Sequence, residues 1–363
     1  MIQELINTVF RKEVLALSTY KVADAEGYIK LDAMENPYTW PDDIKEQWLT
    51  FIKDCPINRY PDPEAKQLAN AIKEINHIPE KSEILLGNGS DEIIQILLMA
   101  LPTNARVLAP HPSFVMYKQV ALSLGLNYQS IPLLTNSFEL DLTATLDAIE
   151  KNNPAVIFLA YPNNPTANLF KQQDIEAILN ASSGLVIVDE AYTPFANASF
   201  MQQLPEHANL LVMRTVSKLG LAGLRLGYIA GNKDIIEQLN KIRLPYNINS
   251  LTQLTARFAL KNHALFDQQT QQICNDRAIL ISQLNELPGL TVYPSSANFV
   301  LFKTTKGQAS SIFDDLKKHG VLIKNLSPQG DNLTDCLRVT IGKPEENKKF
   351  IDALSETLKS TTR

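Results

Sequence analysis

Three runs of consecutive apolar residues lie in the middle of the chain, and each is followed by polar residues. They are "AVIFLAYPNNPTAN" at 155–168, "GLVIVDEAYTPF" at 184–195 and "NLLVMRTVSKLG" at 209–220. A helix-like stretch, "QQDIEAILNASS" at 172–183, separates the first two. Continuous apolar runs are typical of parallel strands covered by helices on both faces. The pattern therefore predicts an α/β fold with a mostly parallel central sheet flanked by helices.

The pattern changes after about residue 250. A long helical stretch from "LTQLTARFAL" through "CNDRAILISQLNEL" precedes short strands interleaved with a helix, which predicts a smaller α+β domain. Near the amino terminus, the proline-containing "IKLDAMENPYTWP" has no periodicity and indicates an arm. We expect an arm at 1–38 that belongs to the small domain, a large domain at 39–250 and a small C-terminal domain at 251–363.

Composition narrows the class of protein. The chain has 363 residues, 45% hydrophobic and 20% charged, which suits a globular protein of about two domains. Its net charge of −5 argues against a nucleic-acid partner. With no signal peptide and no apolar run near roughly 20 residues, we expect a cytoplasmic protein without a membrane partner. The scattered Cys55, Cys274 and Cys336 suggest free thiols, and the histidine spacing predicts no metal site.

Candidate chemistry lies where the predicted strands end. In parallel α/β sheets, ligands bind beyond the carboxyl ends of the strands. The unusual residues at those ends are Asn164, Asp189, Tyr192, Ser217 and Lys218. Each alone has an ordinary explanation as a turn residue, a helix cap or a solvated lysine. Their coincidence predicts a site, and the loop "GNGSDE" at 87–92, which opens an apolar helix, could bind a phosphate.

Four motifs occur along the chain in a fixed order. They are "PNNPT" at 162–166, "DEAY" at 189–192, "SKLGLAGLR" at 217–225 and "LRVTIG" at 337–342. With these motifs the chain resembles, over essentially its whole length, the class I/II aminotransferases of pyridoxal-phosphate fold type I. Each motif is weak alone, but the set is highly specific. The resemblance implies a homodimeric enzyme whose cofactor, pyridoxal 5′-phosphate, lies in the large domain.

The resemblance also implies a role for each motif residue. Lys218 would bond covalently to the cofactor aldehyde and later move a proton, and Asp189 would keep the pyridine nitrogen protonated. Phe114 would stack on the ring, while Asn164 and Tyr192 would hydrogen-bond its 3′-oxygen. The predicted phosphate ligands are Gly89, Ser90 and Asp91, of which Asp91 uses its amide, together with Ser217 and Arg225.

Two segments resemble the histidinol-phosphate aminotransferases in particular. These are "INRYPDP" at 57–63 and the arm segment "LSTYKV" at 17–22, with "MENP" following at 34–37. The resemblance implies that Tyr60 reaches the cofactor phosphate of the neighbouring subunit. It further implies a substrate site formed by Tyr20, Asn36, Asn164, Lys324 and Arg338. The expected reaction transfers an amino group reversibly between glutamate and imidazole acetol phosphate.

Other functions stay open at this point. An aromatic or broad-specificity aminotransferase needs a similar apolar pocket, and a threonine-phosphate decarboxylase on the same fold also needs a phosphate pocket. A non-enzymatic regulator that binds pyridoxal phosphate is disfavoured, because the chain is acidic and carries no DNA-binding segment.

Two departures from the family pattern affect the site. Ala167 stands where the family turn has glycine, and a positive φ there would strain alanine by roughly 1 kcal/mol. Lys218 and Arg225 are one position closer than in many relatives, so we expect a tightened loop between them.

Overall fold

The computed structural model describes residues 1–19 and 23–361. The α-helices in these ranges are α1 Ile2–Val9, α2 Lys12–Leu15, α3 Asp42–Ile52, α4 Lys66–Ile75, α5 Gly89–Met99, α6 Val115–Ser123, α7 Leu142–Asn152, α8 Gln172–Ala181, α9 Lys233–Asn240, α10 Ser250–Lys261, α11 His263–Asn285, α12 Ala309–Lys318 and α13 Pro344–Thr361. The strands are β1 Ile29–Lys30, β2 Ser82–Gly87, β3 Arg106–His111, β4 Asn127–Pro132, β5 Val156–Ala160, β6 Leu185–Asp189, β7 Leu210–Thr215, β8 Gly227–Asn232, β9 Thr291–Val292, β10 Phe299–Lys303, β11 Val321–Leu322, β12 Lys324–Asn325 and β13 Cys336–Thr340. Within this part of the chain, no helix is long and apolar enough to cross a membrane.

A seven-stranded sheet forms the centre of the molecule, in the order β2-β8-β7-β6-β5-β3-β4. Strands β4, β3, β5, β6 and β7 run parallel, and β8 is antiparallel to both of its neighbours. The register places Ala160 beside Asp189 and Asp189 beside Met213. The carboxyl ends of β5, β6 and β7 therefore meet at one edge, where the candidate residues follow.

Both faces of this sheet are covered by apolar side chains. In β5, Val156 and Phe158 belong to one buried cluster, whereas Ile157 and Leu159 belong to another. Successive side chains of a strand point to opposite faces, so a strand covered on both sides needs an unbroken apolar run. The predicted α/β fold with a mostly parallel sheet flanked by helices is confirmed.

A second sheet, of four strands, has the order β12-β13-β10-β9 and is antiparallel. Its apolar side chains, among them Phe299 and Leu337, form a separate buried cluster with residues of α12 and α13. The amino-terminal strand β1 pairs with β11, with Ile29 opposite Val321, and Leu31 is buried in the same cluster. Residues near 30 are thereby held beside the C-terminal third of the chain.

Candidate active site

A cavity of about 230 Å³ lies at the carboxyl ends of the central strands. The segments that follow these strands contribute Asn164, Asp189, Tyr192, Ser217 and Lys218 to its lining. Other segments bring Ser90, Asp91, Phe114 and Arg225 to the same cavity. The fold thus brings together residues that the sequence motifs single out separately.

Asp189, at the end of β6, is 4% exposed. Its Oδ2 accepts a hydrogen bond from the Tyr117 hydroxyl at 2.5 Å, and its Oδ1 accepts one from the Ala191 amide at 3.1 Å. Burial raises the pKa of Asp189 to about 6, although these two donors act in the opposite direction. The carboxyl is therefore ionised at neutral pH but easily neutralised by a change in its surroundings.

Lys218 presents its amine to the cavity. Its Nζ donates to the Ala33 carbonyl at 3.3 Å and lies 5.5 Å from the centroid of the Tyr192 ring. Removal from solvent, with the positive charge of Arg338 next in importance, lowers the pKa of Lys218 to about 8. Such an amine gains and loses a proton near neutral pH, as a general acid–base group must.

Three types of donor converge at one end of the cavity. The donors are the backbone amides of the first turn of α5, which begins at Gly89, the Ser217 hydroxyl and the Arg225 guanidinium. A Cβ on Gly89 would lie 2.9 Å from Arg225 Nη2, and one on Gly227 would lie 2.8 Å from the Gly89 carbonyl carbon. The glycines are required for this close approach, and the result is a cradle that fits a phosphate group.

The Asp91 side chain lies nearer to this cradle than its predicted amide-only role implies. Its Oδ2 is 3.5 Å from Arg225 Nη2. Burial raises the pKa of this carboxyl. Arg225 is therefore shared between the Asp91 carboxylate and any anion that enters the cradle.

The loop between Lys218 and Arg225 is compact. Val216 donates to the Leu226 carbonyl at 3.1 Å, and the loop consists of two short 3₁₀ turns, Ser217–Leu219 and Ala222–Leu224. Gly220 and Arg225 have φ values of 106° and 48°. Residues in the left-handed conformation reverse the chain direction within a few positions. The Lys218 and Arg225 side chains therefore both reach one cavity despite the short spacing between them.

Asn164 connects the cavity with a buried arginine of β13. Its Nδ2 donates to the Tyr192 hydroxyl at 3.2 Å, and its Oδ1 accepts from Arg338 Nη1 at 2.5 Å. Arg338 also donates to the Asp32 carbonyl at 3.0 Å and packs 5.2 Å from the Phe299 ring centroid. The Asn164 amide therefore links Tyr192, predicted to bind the ring oxygen of the cofactor, to Arg338, predicted to bind the substrate.

Lys324 lies directly opposite Arg338 in the pairing of β12 with β13. Directly opposed residues of an antiparallel pair extend from the same face of the sheet, with Cβ atoms roughly 5 Å apart. Among the residues described, Lys324 forms no ion pair within 4.0 Å. Two cationic side chains thus extend from the same face of the four-stranded sheet.

Comparisons with known proteins agree with this arrangement. The chain matches the family described as Aminotransferase class I and II over residues 26–354. It is 53% identical to histidinol-phosphate aminotransferase 2 of Nitrosococcus oceani over 355 residues, which cover 98% of each chain. It is 47% identical to histidinol-phosphate aminotransferase 2 of Cupriavidus pinatubonensis, again over 98% of each chain. The chain belongs to the class I and II aminotransferase family.

The solved structures show the same fold. The crystal structure of histidinol-phosphate aminotransferase from Sinorhizobium meliloti, in complex with pyridoxal-5′-phosphate, superimposes with a TM-score of 0.86. It covers 98% of each chain at 23% sequence identity. The expected pyridoxal-phosphate fold type I is confirmed.

This aminotransferase uses pyridoxal 5′-phosphate, and its side chains fit that cofactor. The phosphate cradle consists of donors and a cation, with glycines where a Cβ would intrude. At the other end of the cavity, the buried Asp189 carboxylate suits a protonated ring nitrogen. In the ranges described, no group of three or more His, Cys, Asp or Glu side chains is arranged to hold a metal ion.

Three further positions named from the sequence, Tyr60, Asn36 and Ala167, have the following surroundings in the structure. Tyr60 is 81% exposed and stacks on Tyr246, with ring centroids 4.6 Å apart. Asn36 donates to the Leu219 carbonyl at 3.1 Å, so its amide holds the residue that follows Lys218. Tyr20 lies outside the described residues. Ala167 is buried with φ of 63°, the strained conformation expected for alanine at a glycine position.

Three residues of the aminotransferase site were not predicted from the sequence. Tyr117 donates to Asp189, Thr215 Oγ1 lies 2.8 Å from Ser217 Oγ, and Glu35 lines the cavity. Tyr117 follows Phe114, the N-cap residue of α6, by three positions, and their rings are in contact. That spacing was the available signal for Tyr117.

Proposed function

We propose that this aminotransferase transfers an amino group reversibly between glutamate and imidazole acetol phosphate, giving L-histidinol phosphate and 2-oxoglutarate. The observation that carries the proposal is the pair of opposed cations, Arg338 and Lys324, of which Arg338 is hydrogen-bonded to the cavity residue Asn164. A substrate phosphate dianion is matched better by two cations than by one. The two relatives at 53% and 47% identity are named for histidinol phosphate, which supports the same substrate.

When bound, pyridoxal phosphate supplies an electron sink for the substrate carbon that loses its proton. Lys218 Nζ takes the proton from this substrate carbon and, in the reverse direction of the reaction, returns it to the same carbon. A pKa of about 8 lets the amine act in both directions near neutral pH. Asp189, as a carboxylate, would keep the ring nitrogen of the bound cofactor protonated.

The remaining side chains bind and orient. The amides of Ser90 and Asp91, the Ser217 hydroxyl and Arg225 would hold the cofactor phosphate. Asn164 and Tyr192 would hold the ring oxygen, and Phe114 would cover the ring face. Because the Asn164 amide also accepts from Arg338, a substrate anion bound to Arg338 is positioned relative to the ring.

A product assay on the purified, cofactor-loaded enzyme tests the proposal. Glutamate is supplied with imidazole acetol phosphate or with phenylpyruvate, and 2-oxoglutarate formation is measured by chromatography. Threonine phosphate is supplied separately, and carbon dioxide release is measured. We expect the phosphorylated keto substrate to be used with the highest kcat/KM. Equal use of phenylpyruvate would indicate a broad-specificity enzyme, and carbon dioxide release from threonine phosphate would indicate a decarboxylase.

The role of the second cation is tested separately with Lys324→Met. This variant should raise KM for imidazole acetol phosphate roughly tenfold, the effect of one lost charged contact, and leave phenylpyruvate use unchanged. Lys303→Met is the matched control, since Lys303 is a half-buried lysine of the same sheet that pairs with Cys336, away from Arg338. An equal effect of both variants would contradict a specific role for Lys324.

We propose further that the enzyme is a homodimer in which Tyr60 serves the neighbouring subunit's cofactor. Its ring extends from the surface instead of lining its own cavity. Helix α1 has no buried residue and exposes Ile2, Leu5 and Val9, which a second subunit could cover. Activity across a dilution series, with gel filtration alongside, tests this. A fully active monomer would contradict it.

The domain limits 1–38, 39–250 and 251–363 and a cytoplasmic location are also part of the proposal. Most members of the apolar cluster around the four-stranded sheet lie in 251–363, which supports the limits, and Ala167, Tyr192 and Phe195 of 39–250 join it. The three cysteines are unpaired in the structure, which suits a reducing compartment. Limited proteolysis tests the limits, and fractionation of the source cells tests the location.

A further inference from the structure

Tyr117 has no part in the roles assigned above, yet it is one of the most buried polar side chains near the cavity. It belongs to α6 and has no exposed surface. Its ring stacks on Phe158, with centroids 4.4 Å apart and planes 7° apart. Phe114, the predicted ring-stacking residue, packs edge-on at 5.5 Å. Because the ring is fixed on both sides, the hydroxyl has a defined position.

That hydroxyl lies 2.5 Å from Asp189 Oδ2, the short separation typical of a hydroxyl donating to a carboxylate. The other oxygen of Asp189 accepts from the backbone amide of Ala191. Each carboxylate oxygen therefore has its own donor. The amide is present whatever side chain stands at 191, so Tyr117 is the donor that a substitution can remove.

The surrounding charges make this donor important. Asp91 and Glu190 are the other charged groups that act on Asp189, and both favour its neutral form, as burial does. Tyr117 and the Ala191 amide favour the ionised form. Burial, followed by the Asp189 charge, raises the pKa of Tyr117 well above its usual value, with smaller contributions from Tyr192 and Tyr128. The phenol therefore stays protonated and always donates.

We propose that Tyr117 is a positioning residue that keeps Asp189 ionised and fixes the direction of its carboxylate toward the ring nitrogen of the cofactor. Tyr117 does not touch the reacting atoms and acts through Asp189. Without the hydroxyl, the proton shared by the carboxylate and the ring nitrogen moves toward the carboxylate. The ring then loses part of its positive charge. This inference depends on the cofactor and not on the proposed substrate.

The test compares Tyr117→Phe with Tyr128→Phe. Tyr128 on β4 packs against the same apolar cluster, and its pKa is raised to about 12 by burial, but it does not bond to Asp189. Each variant therefore removes one phenol hydroxyl, and only Tyr117→Phe removes a donor to Asp189. Urea denaturation of both variants measures the purely structural cost.

The first readout is the titration of Asp189 by ¹³C NMR on the full chain before cofactor is added. In the wild type we expect a midpoint near pH 6. Tyr117→Phe should move it upward by about one to two pH units, the effect of losing a hydrogen bond to a charged group, and Tyr128→Phe should not move it. An unshifted Tyr117→Phe, or an equal shift in both variants, would overturn the proposal.

The second readout uses the holoenzyme loaded with ¹⁵N-labelled pyridoxal phosphate. The ¹⁵N shift of the ring reports protonation, and in Tyr117→Phe it should move toward the unprotonated value at neutral pH. Accordingly, kcat should fall roughly 10- to 100-fold while KM changes little. An unchanged ¹⁵N shift would overturn the proposal. If the cofactor assignment were wrong, no labelled cofactor would bind at all, which is a separate outcome.

A substitution that keeps the packing covers the case in which Tyr117→Phe does not fold. Tyr117→3-fluorotyrosine makes the phenol a stronger donor with nearly the same shape. It should lower the Asp189 midpoint, the opposite direction from Tyr117→Phe. A midpoint that does not fall would also contradict the proposal.

Discussion

The ion pair behind the cofactor site permits a quantitative prediction for Arg214→Met. Glu190, the neighbour of Asp189, is 1% exposed, and its Oε2 accepts from Arg214 Nε at 2.9 Å and from Nη2 at 2.7 Å. The carboxylate also accepts from the Phe200 amide at 2.5 Å and from Ser199 Oγ at 2.9 Å. Methionine retains most of the arginine stem, so the substitution mainly removes the cation.

Removal of one partner from a buried pair costs about 3–5 kcal/mol, because the other charge stays buried without compensation. Three donors to Glu190 survive in the variant, since the Thr193 hydroxyl also donates to Oε2 at 3.3 Å, and each hydrogen bond to a charged group contributes about 1.5–3 kcal/mol. These donors keep the loss near the lower limit. We therefore expect the free energy of unfolding to fall by about 3 kcal/mol.

Urea denaturation of the full chain without cofactor, followed by circular dichroism, measures this loss from the shift of the midpoint. The double variant Glu190→Gln, Arg214→Met removes both charges and should recover most of the loss, to within about 1 kcal/mol of the wild type. A single variant that loses less than about 1 kcal/mol would refute the reasoning. The same conclusion would follow from a double variant no more stable than the single one.

Three further predictions concern the site itself. Below about pH 8, the rate at which the cofactor-free protein binds pyridoxal phosphate should fall about tenfold per pH unit, because only the neutral Lys218 amine attacks the aldehyde. Stopped-flow absorbance measures this rate, and a rate independent of pH would contradict the prediction. Arg225→Lys should weaken pyridoxal phosphate binding roughly tenfold and leave pyridoxal binding unchanged, because a lysine cannot form the paired hydrogen bonds of a guanidinium. Fluorescence titration measures both affinities, and an equal loss of affinity for the two compounds would argue against a phosphate contact. Ala167→Gly relieves about 1 kcal/mol of backbone strain, but it removes a buried methyl group and increases the conformational entropy of the unfolded chain. The free energy of unfolding, measured by urea denaturation, should therefore change by no more than about 1 kcal/mol. A change above about 2 kcal/mol would contradict this reasoning.

Much of the fold was predictable from the sequence for a local reason. A strand buried on both faces requires an apolar side chain at every position, and β5 and β6 display this as unbroken runs. The residues after such runs lie together once the strands are parallel, whatever the details of packing. For this reason the predictions for Asn164, Asp189 and Lys218 place them in one cavity, although their chemical roles stay predictions.

Other features depended on contacts between distant positions. Tyr117 and Asp189 are 72 positions apart, and Asn164 and Arg338 are 174 apart. Hydrogen bonds of this kind require side chains to meet within a few tenths of an ångström, which neither periodicity nor motif spacing specifies. The same holds for Asn36, whose amide donates to the Leu219 carbonyl 183 positions away; its substrate contact stays a prediction.

The sequence by itself determined the fold class through its local pattern, and its motifs identified the family and the cofactor by resemblance; the residues that hold the cofactor stay predictions. Only the tertiary structure decided the pKa values of the site residues. Burial gives Lys218 a pKa of about 8 and Asp189 a pKa of about 6, and Tyr117 supplies the opposing donor. The physical reason is that a pKa depends on the solvent excluded and on the charges nearby, and packing fixes both.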